Sequence, residues 1–465
     1  MKSTKSFINL KSAPIKKREC MNDFARKLRL WGSAEVLLLI MSITFEGFAH
    51  AQEYLGAALP APQSGIIFGG LIVLLAGAWV STSQPNASHT INTSRSILVV
   101  ALAWLLTSRF LHFISPAGDG WRWLTIGLFI VFCGLWWLKQ PHWAVLLAVL
   151  LGCGIRLYLF SIKPIHPDLG DMQPLVLLAL DKFTHFESPY RLYSMPWELP
   201  LTYLPITWLA YLPAFAAKSD IRLTNLIADL CIGATLYFLP APQKQRKSLM
   251  LWWAFIFFIP IFSEYAQNAT SQIFWLLLAF VLLALAHQRN GWAAIFLGLG
   301  LAASPFVAIA AIFIGLYWLK HYKWQQVAAW VGMIGVIVLG IVLPFVIVSP
   351  NEFFFGIFQW FNDTTLYSQK VWRVGYLGTQ PSISVIFWNL NLQNWLKVVQ
   401  IGLLSALSLI YWRQGAILKA LPAFITAAFL LFVAFNTVVW IYYYFVAFVM
   451  GLFALAYRGL KASSQ

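Results

Sequence analysis

Long apolar runs alternate with polar breaks along the chain, and the runs have the length of helices rather than strands. They fall near 33 to 55, 65 to 81, 96 to 114, 122 to 138 and 143 to 162. After a polar interval over 163 to 198 they resume near 219 to 240, 249 to 262, 271 to 287, 291 to 304, 306 to 320, 325 to 348, 395 to 411, 420 to 435 and 438 to 457. A bilayer crossing takes about 20 apolar residues. The pattern therefore predicts an all-α polytopic membrane protein of about 14 transmembrane helices. Residues 199 to 217 are also apolar, but they hold Pro200, Pro205 and Pro213 among aromatic residues, which predicts a helix lying along the outer membrane face.

Composition sharpens this picture. With 60% hydrophobic and 10% charged residues, against about 25% charged in an ordinary soluble chain, a soluble enzyme is excluded. The net charge of +16 does not gather on one exposed face, so nucleic acid is not expected as a partner; the charge reads as a topology signal instead. Nine Lys and Arg residues lie in 1 to 30, a basic cytoplasmic tail, and Lys244, Arg246 and Lys247 form a second inside segment. Counting crossings from these points places two long loops, 163 to 198 and 349 to 394, on the outer side, and both termini in the cytoplasm. With that assignment 21 of the 32 Lys and Arg residues are cytoplasmic, eight are outside and three lie within spans.

Residues 33 to 51 mimic a secretory leader around Ala49-His50-Ala51, yet Glu46 interrupts the apolar run, and an uncleaved first span is expected. Cys20, Cys133, Cys153 and Cys231 show no CxxC spacing and give neither a zinc site nor a disulfide framework. Glu35, Glu46, Asp229 and Arg156 fall within apolar runs, where charge is costly, and are expected to pair in the interior. The many Trp and Tyr residues serve mainly as interface anchors, and Tyr442-Tyr443-Tyr444 reads as packing or belt. Asn268-Ala269-Thr270 and Asn362-Asp363-Thr364 fit the glycosylation pattern, which so short a motif produces by chance.

Candidate chemistry concentrates after the fifth run. Residues 163 to 229 hold seven of the chain's 16 acidic residues, beginning with His166-Pro167-Asp168-Leu169-Gly170-Asp171. Two carboxylates three apart share a face if the segment is helical, and apolar surroundings at the membrane surface raise a carboxyl group toward a working base. The plainer alternative is a solvated loop with Asp capping the next helix.

The order of motifs that follows resembles the GT-C superfamily of polyprenyl-phosphate-sugar-dependent glycosyltransferases, in particular its bacterial mannosyltransferase-like branch. Asp171 is followed by Pro189-Tyr190, then by Leu201-Thr202-Tyr203-Leu204-Pro205, then by Asp220-Ile221-Arg222 with Asn225. The likeness covers roughly 143 to 348. It casts 31 to 142 as extra N-terminal transmembrane helices, 143 to 348 as the catalytic membrane module and 395 to 465 as C-terminal transmembrane helices. The chain departs from the pattern in having Leu204 for a proline, Ser304-Pro305 where many members have Lys-Pro, and Asp-x-x-Asp where metal-dependent members have Asp-x-Asp. The last departure implies an enzyme with no divalent metal and no other cofactor.

What the resemblance implies is inverting transfer of a mannose-like hexose from a polyprenyl-phosphate donor to a hydroxyl of a lipid, glycan or protein acceptor, on the outer face of a bacterial plasma membrane. A loop acid would act as general base; Asp171 matches the family position by its spacing to Pro189-Tyr190, and Asp168 competes because His-Pro-Asp echoes eukaryotic relatives. His166, Tyr190 and Tyr203 would bind substrate. Arg222, Lys370, Arg373 and Gln272 are candidates for the departing phosphate, with the plainer alternatives of an Arg222 salt bridge to Asp220, a helix-start role for Gln272 and solvated charges at Lys370 and Arg373. Trp197, Trp372 and Tyr376 are candidates for stacking on a sugar. Two rival functions remain open on the sequence: a transporter or lipid-carrier flippase, and a polymerase or ligase of surface polysaccharide.

Overall fold

The computed structural model of the chain describes residues 36–42, 44–45, 61–82, 120–167, 170–195, 198–258, 269–360, 382–436, 439 and 441–460. Outside them lie the basic tail, the run at 96 to 114, Glu35, Glu46, Asp168, Trp197, Asn268, Lys370, Trp372, Arg373 and Tyr376. Helical residues 36–42 precede α1 (Ala61–Thr82), α2 (Gly120–Trp137) and α3 (Pro141–Ile162). Next come α4 (Met172–Thr184), an antiparallel hairpin of β1 (Leu192–Ser194) and β2 (Glu198–Pro200), and the short helices α5 (Pro205–Leu209) and α6 (Leu212–Ala216). The apolar series continues with α7 (Leu223–Tyr237), α8 (Gln243–Phe258), α9 (Gln272–Ala286), α10 (Asn290–Leu301), α11 (Val307–His321) and α12 (Trp324–Val348). After α13 (Pro350–Phe354) and a π-helical turn at Phe355–Gln359 come α14 (Ser384–Asn389), α15 (Leu396–Arg413), α16 (Leu421–Ala434), a 3-10 turn at Ile441–Tyr444 and α17 (Phe445–Tyr457).

The protein is thus mostly helical, and among the described residues the helices follow the apolar runs of the sequence. Among the described residues, three stretches are long and apolar enough to cross a membrane unaided: Pro141–Ile162, Trp324–Val348 and Gln393–Arg413. Seven shorter apolar helices accompany them, such as Gln272–Ala286 and Val307–His321. At about 1.5 Å per residue a 15-residue helix is roughly 22 Å long, short of the roughly 30 Å hydrocarbon core. Segment 199 to 217 is not one helix. A proline opens each of its pieces, α5 and α6, and neither five-residue piece can reach across a bilayer.

Lipid tails are as apolar as leucine, so packing rather than water exclusion holds such helices together, and small residues mark their close approaches. A Cβ on Gly152 of α3 would lie 2.6 Å from the Phe257 ring of α8. The long helices α12 and α15 stay peripheral, leaving Val336, Leu339, Ile347, Val398 and Ile401 exposed as a lipid-facing surface. At the N-terminal end of the chain, α1 packs on α16, and Leu38 and Trp79 close on Gly451 of α17.

The connecting segments sort to two ends of the helices. At one end Ser349 Oγ donates to Ser188 Oγ (2.6 Å), the Thr207 hydroxyl to the Ala303 carbonyl (2.6 Å) and the Ile383 N–H to the Ala434 carbonyl (3.0 Å). At the other the His287 ring lies 3.0 Å from the Phe238 carbonyl and His321 lies 3.1 Å from that of Gly415, while the Gln245 amide donates to Leu455 and Ala456. The first end carries a second hydrophobic core, in which Leu175, Leu180, Tyr190, Trp208, Tyr211 and Phe353 are buried. There the π-helical turn presses so closely on the segment after β2 that a Cβ on Gly356 would stand 2.4 Å from the Leu201 carbonyl oxygen. Only glycine fits that contact without a shift.

Candidate active site

Asp171 occupies the N-cap position of α4, yet its side chain makes no capping hydrogen bond. The plainer role suggested by the sequence, an aspartate spent on capping, is therefore not the one adopted. Ahead of Asp171 the Gly170 N–H closes a turn onto the Pro167 carbonyl (3.2 Å), and helix begins only at Met172. Burial pushes the Asp171 carboxyl above the usual aspartate range, and a hydrogen bond with its own backbone amide offsets part of that rise. Asp171 forms no ion pair among the described residues.

Of four segments around this end of α4, two bring side chains within electrostatic reach of the carboxylate and two pack against them. The first carries Tyr203, half-buried, with the Thr202 and Thr270 hydroxyls hydrogen-bonding to it and the Asp171 charge within reach; burial, then that charge, hold its phenol well above the ordinary tyrosine range. The second is Ala269-Thr270-Ser271-Gln272, entering α9. Gln173 and Asn225 each donate to the Ala269 carbonyl at 2.7 Å, which clamps this strand of chain against α4 and α7. The third is the turn at 302–306, to which Ile206 and Thr207 are tied through the Ala302 and Ala303 carbonyls. The fourth is the Ile441–Tyr444 turn: Tyr443 lies 5.5 Å from the Phe306 ring, and both Tyr442 and Tyr443 fall within the electrostatic reach of Asp171.

The expected substrate residues divide. Tyr203 faces Asp171. Tyr190 is a core residue: its hydroxyl donates to the Tyr203 carbonyl (2.9 Å), the Trp208 indole N–H lies 3.4 Å from it, and its ring packs on Phe345 and Phe353. It supports Tyr203 from behind. Arg222 is a staple. Its guanidinium holds both Asp220 oxygens and donates to the Lys163 (2.7 Å) and Phe160 (2.8 Å) carbonyls, over the Phe160 ring. Of five guanidinium N–H groups, these bonds with the Asp220 contact of Nη2 (2.5 Å) occupy four. The sequence alternative of an Asp220 salt bridge is the one realised, and the open carbonyls at the end of α3 are satisfied by the same side chain.

Gln272 opens α9 as a buried residue whose Oε1 has no hydrogen-bond partner among the described residues. His166 is exposed in the segment after α3. Deeper in the helices, Arg156 and Asp229 form the interior pair expected of them, at 3.2 Å, and Arg156 also donates to the Phe257 carbonyl (2.7 Å). Among the described residues, no cluster of three His, Cys, Asp or Glu side chains is placed to hold a metal ion.

The tyrosine wall is the part of the site that sequence reading missed. Three consecutive tyrosines at the start of an apolar run look like belt residues, and only the tertiary fold brings their turn near Asp171 and Tyr203. The local hint was the polar Asn436-Thr437 break in the sequence before them; α16 stops at Ala434. No protein-family model and no curated protein matches this chain.

Proposed function

We propose that the chain is an integral membrane glycosyltransferase of GT-C type, moving a mannose-like hexose from a polyprenyl phosphate to an acceptor hydroxyl. The observation that carries this reading is Asp171: a half-buried carboxylate with a raised pKa, relieved of capping, within electrostatic reach of Tyr203, Tyr442 and Tyr443. Such a group is a competent general base near neutral pH. In the proposed step an Asp171 oxygen accepts the proton of the acceptor O–H as that oxygen attacks the anomeric carbon. The anomeric C–O bond breaks on the opposite face, inverting the centre, and the electron pair leaves with the polyprenyl phosphate.

Fourteen crossings with both termini cytoplasmic put Asp171 and these tyrosines on the outer face of a bacterial plasma membrane. The sorting of the described loops to two ends supports that assignment, as does the failure of α5 and α6 to cross. With Arg222 committed to Asp220 and α3, the leaving phosphate falls to Lys370 or Arg373, and Trp197, Trp372 or Tyr376 would flank the donor sugar. Asp168 remains the competing base.

The test is transfer of label from radiolabelled polyprenyl-phosphate mannose and glucose into a cell-lipid extract by proteoliposomes of the purified protein. Loss of transfer in Asp171→Asn, with donor binding retained, is the expected result; an active Asp171→Asn protein would remove Asp171 from the mechanism. One observation favours a transporter or flippase instead, the buried Arg156–Asp229 pair, since intramembrane charges commonly mark transport pathways. That alternative predicts silence with every polyprenyl-phosphate sugar, and lipid or solute movement that stops in Asp229→Asn rather than Asp171→Asn.

A further inference from the structure

Across from Asp171 stand side chains with a single chemical character. Tyr442 and Tyr443 meet edge to face with centroids 4.8 Å apart, Tyr443 leans on Phe306, and Tyr203 couples electrostatically to both tyrosines and to Asp171. Tyr203 and Tyr443 are half-buried, so each retains open ring surface. Their neighbour Tyr444 has a different part: it is fully buried among Phe45 (5.2 Å) and Phe68 (5.7 Å) and fixes the turn in place. Anchored at Tyr444 in this way, the turn holds Tyr443 within electrostatic reach of the carboxylate.

Phenol faces take the C–H face of a pyranose ring, and phenol and threonine hydroxyls exchange hydrogen bonds with ring hydroxyls. A carboxylate in the centre repels a phosphate but accepts a hydrogen bond from a neutral alcohol. We infer that Tyr203 and Tyr443, backed by the buried Tyr442, form a subsite for a neutral hexose, and that this hexose is the acceptor, presenting its hydroxyl to Asp171. The acceptor is then a glycan end rather than a protein side chain or an anionic lipid. Its assignment as acceptor rests on the glycosyltransferase reading above; the binding of a neutral sugar does not.

The experiment is saturation-transfer NMR on the full chain in nanodiscs, with methyl α- and β-glycosides of mannose, glucose and galactose as neutral probes and mannose 1-phosphate and glucose 1-phosphate as anionic ones. At least one methyl hexoside is expected to bind better than the phosphorylated sugars. Tyr443→Ala should weaken it about tenfold through lost stacking, and Tyr443→Phe about threefold through the lost hydroxyl. Unchanged helical content and melting temperature in Tyr443→Phe keep the comparison valid. Preference for the hexose phosphates, no binding of any methyl hexoside, or indifference to Tyr443→Ala each overturn the subsite. Label transfer from polyprenyl-phosphate sugars is measured on the same preparation. Transfer without hexoside binding sinks the subsite and leaves the enzyme; Tyr443-dependent hexoside binding without transfer leaves a sugar site and overturns its role as acceptor site.

Discussion

Asp229 is buried and Asp171 half-buried, and the fold treats the two acids in opposite ways. Asp229 sits among apolar helices with Arg156 at 3.2 Å, and the arginine is itself tied to the Phe257 carbonyl. Asp171 lies at the end of the helices, has no described cation and stands within electrostatic reach of three phenols. A carboxylate that the fold merely has to tolerate is given an arginine, as Asp220 is by Arg222. One left unpaired destabilises the folded state and retains its reactivity, a pattern typical of functional sites.

The sharpest way to break this comparison is Asp171→Asn. Transfer should fall by about 10²- to 10⁴-fold, the usual contribution of a general base, while the melting temperature rises. The sign follows from the raised pKa. The folded state holds the Asp171 proton more tightly than the unfolded chain, so stability falls as pH climbs from the ordinary aspartate value through the folded one, and Asn removes that loss. Melting curves over a pH series check this, and a lower melting temperature for the Asn variant at neutral pH would contradict it. The same shift moves the acid limb of the transfer rate above the usual aspartate range, which a pH–rate profile measures directly.

Breaking the paired acid should act on stability alone. Arg156→Met leaves Asp229 buried without its partner and is expected to cost about 3–5 kcal/mol, largely recovered in Arg156→Met with Asp229→Leu. Detergent-solubilised unfolding midpoints test it; a double variant no more stable than the single one would show that Arg156 matters for Phe257 instead. Arg222→Lys loses the forked contact with Asp220 and the carbonyls of α3, at about 1.5–3 kcal/mol, with donor affinity unchanged in a binding assay. Smallest is Tyr190→Phe, about 0.5–1.5 kcal/mol for one hydrogen bond to the Tyr203 carbonyl, visible as a modest drop in unfolding midpoint.

Helix positions were legible from the sequence because apolar runs in a membrane protein are the helices; α7 through α12 follow the runs within a few residues. The break of 199 to 217 was legible as prolines, though not the inward turn of Trp208 and Tyr211, nor the hairpin at Leu192–Pro200, too short to leave a periodic signal. For the site, Asp171 and Tyr203 stood out by local motif. Arg222 and Tyr190 did too, and Asp220 was legible beside Arg222, but the carbonyls of Phe160 and Tyr203 that these two side chains also hold are backbone atoms that no side-chain pattern encodes. Tyr443 required knowledge of which distant helices are neighbours, and neither periodicity nor charge counting contains that.

The packing of α1 on α16, and of Leu38 and Trp79 on Gly451, has a consequence for biogenesis. Helices enter the membrane in order of synthesis, so the first ones wait in lipid, with a face uncovered, until the last two have been translated. Closure of the bundle and completion of the tyrosine wall are then the same late event, and a chain truncated before residue 421 should leave that face of α1 uncovered and be unable to retain a sugar. Sugar binding by truncated chains reads that order, and a chain that lacks α16 and α17 yet retains a sugar would contradict it.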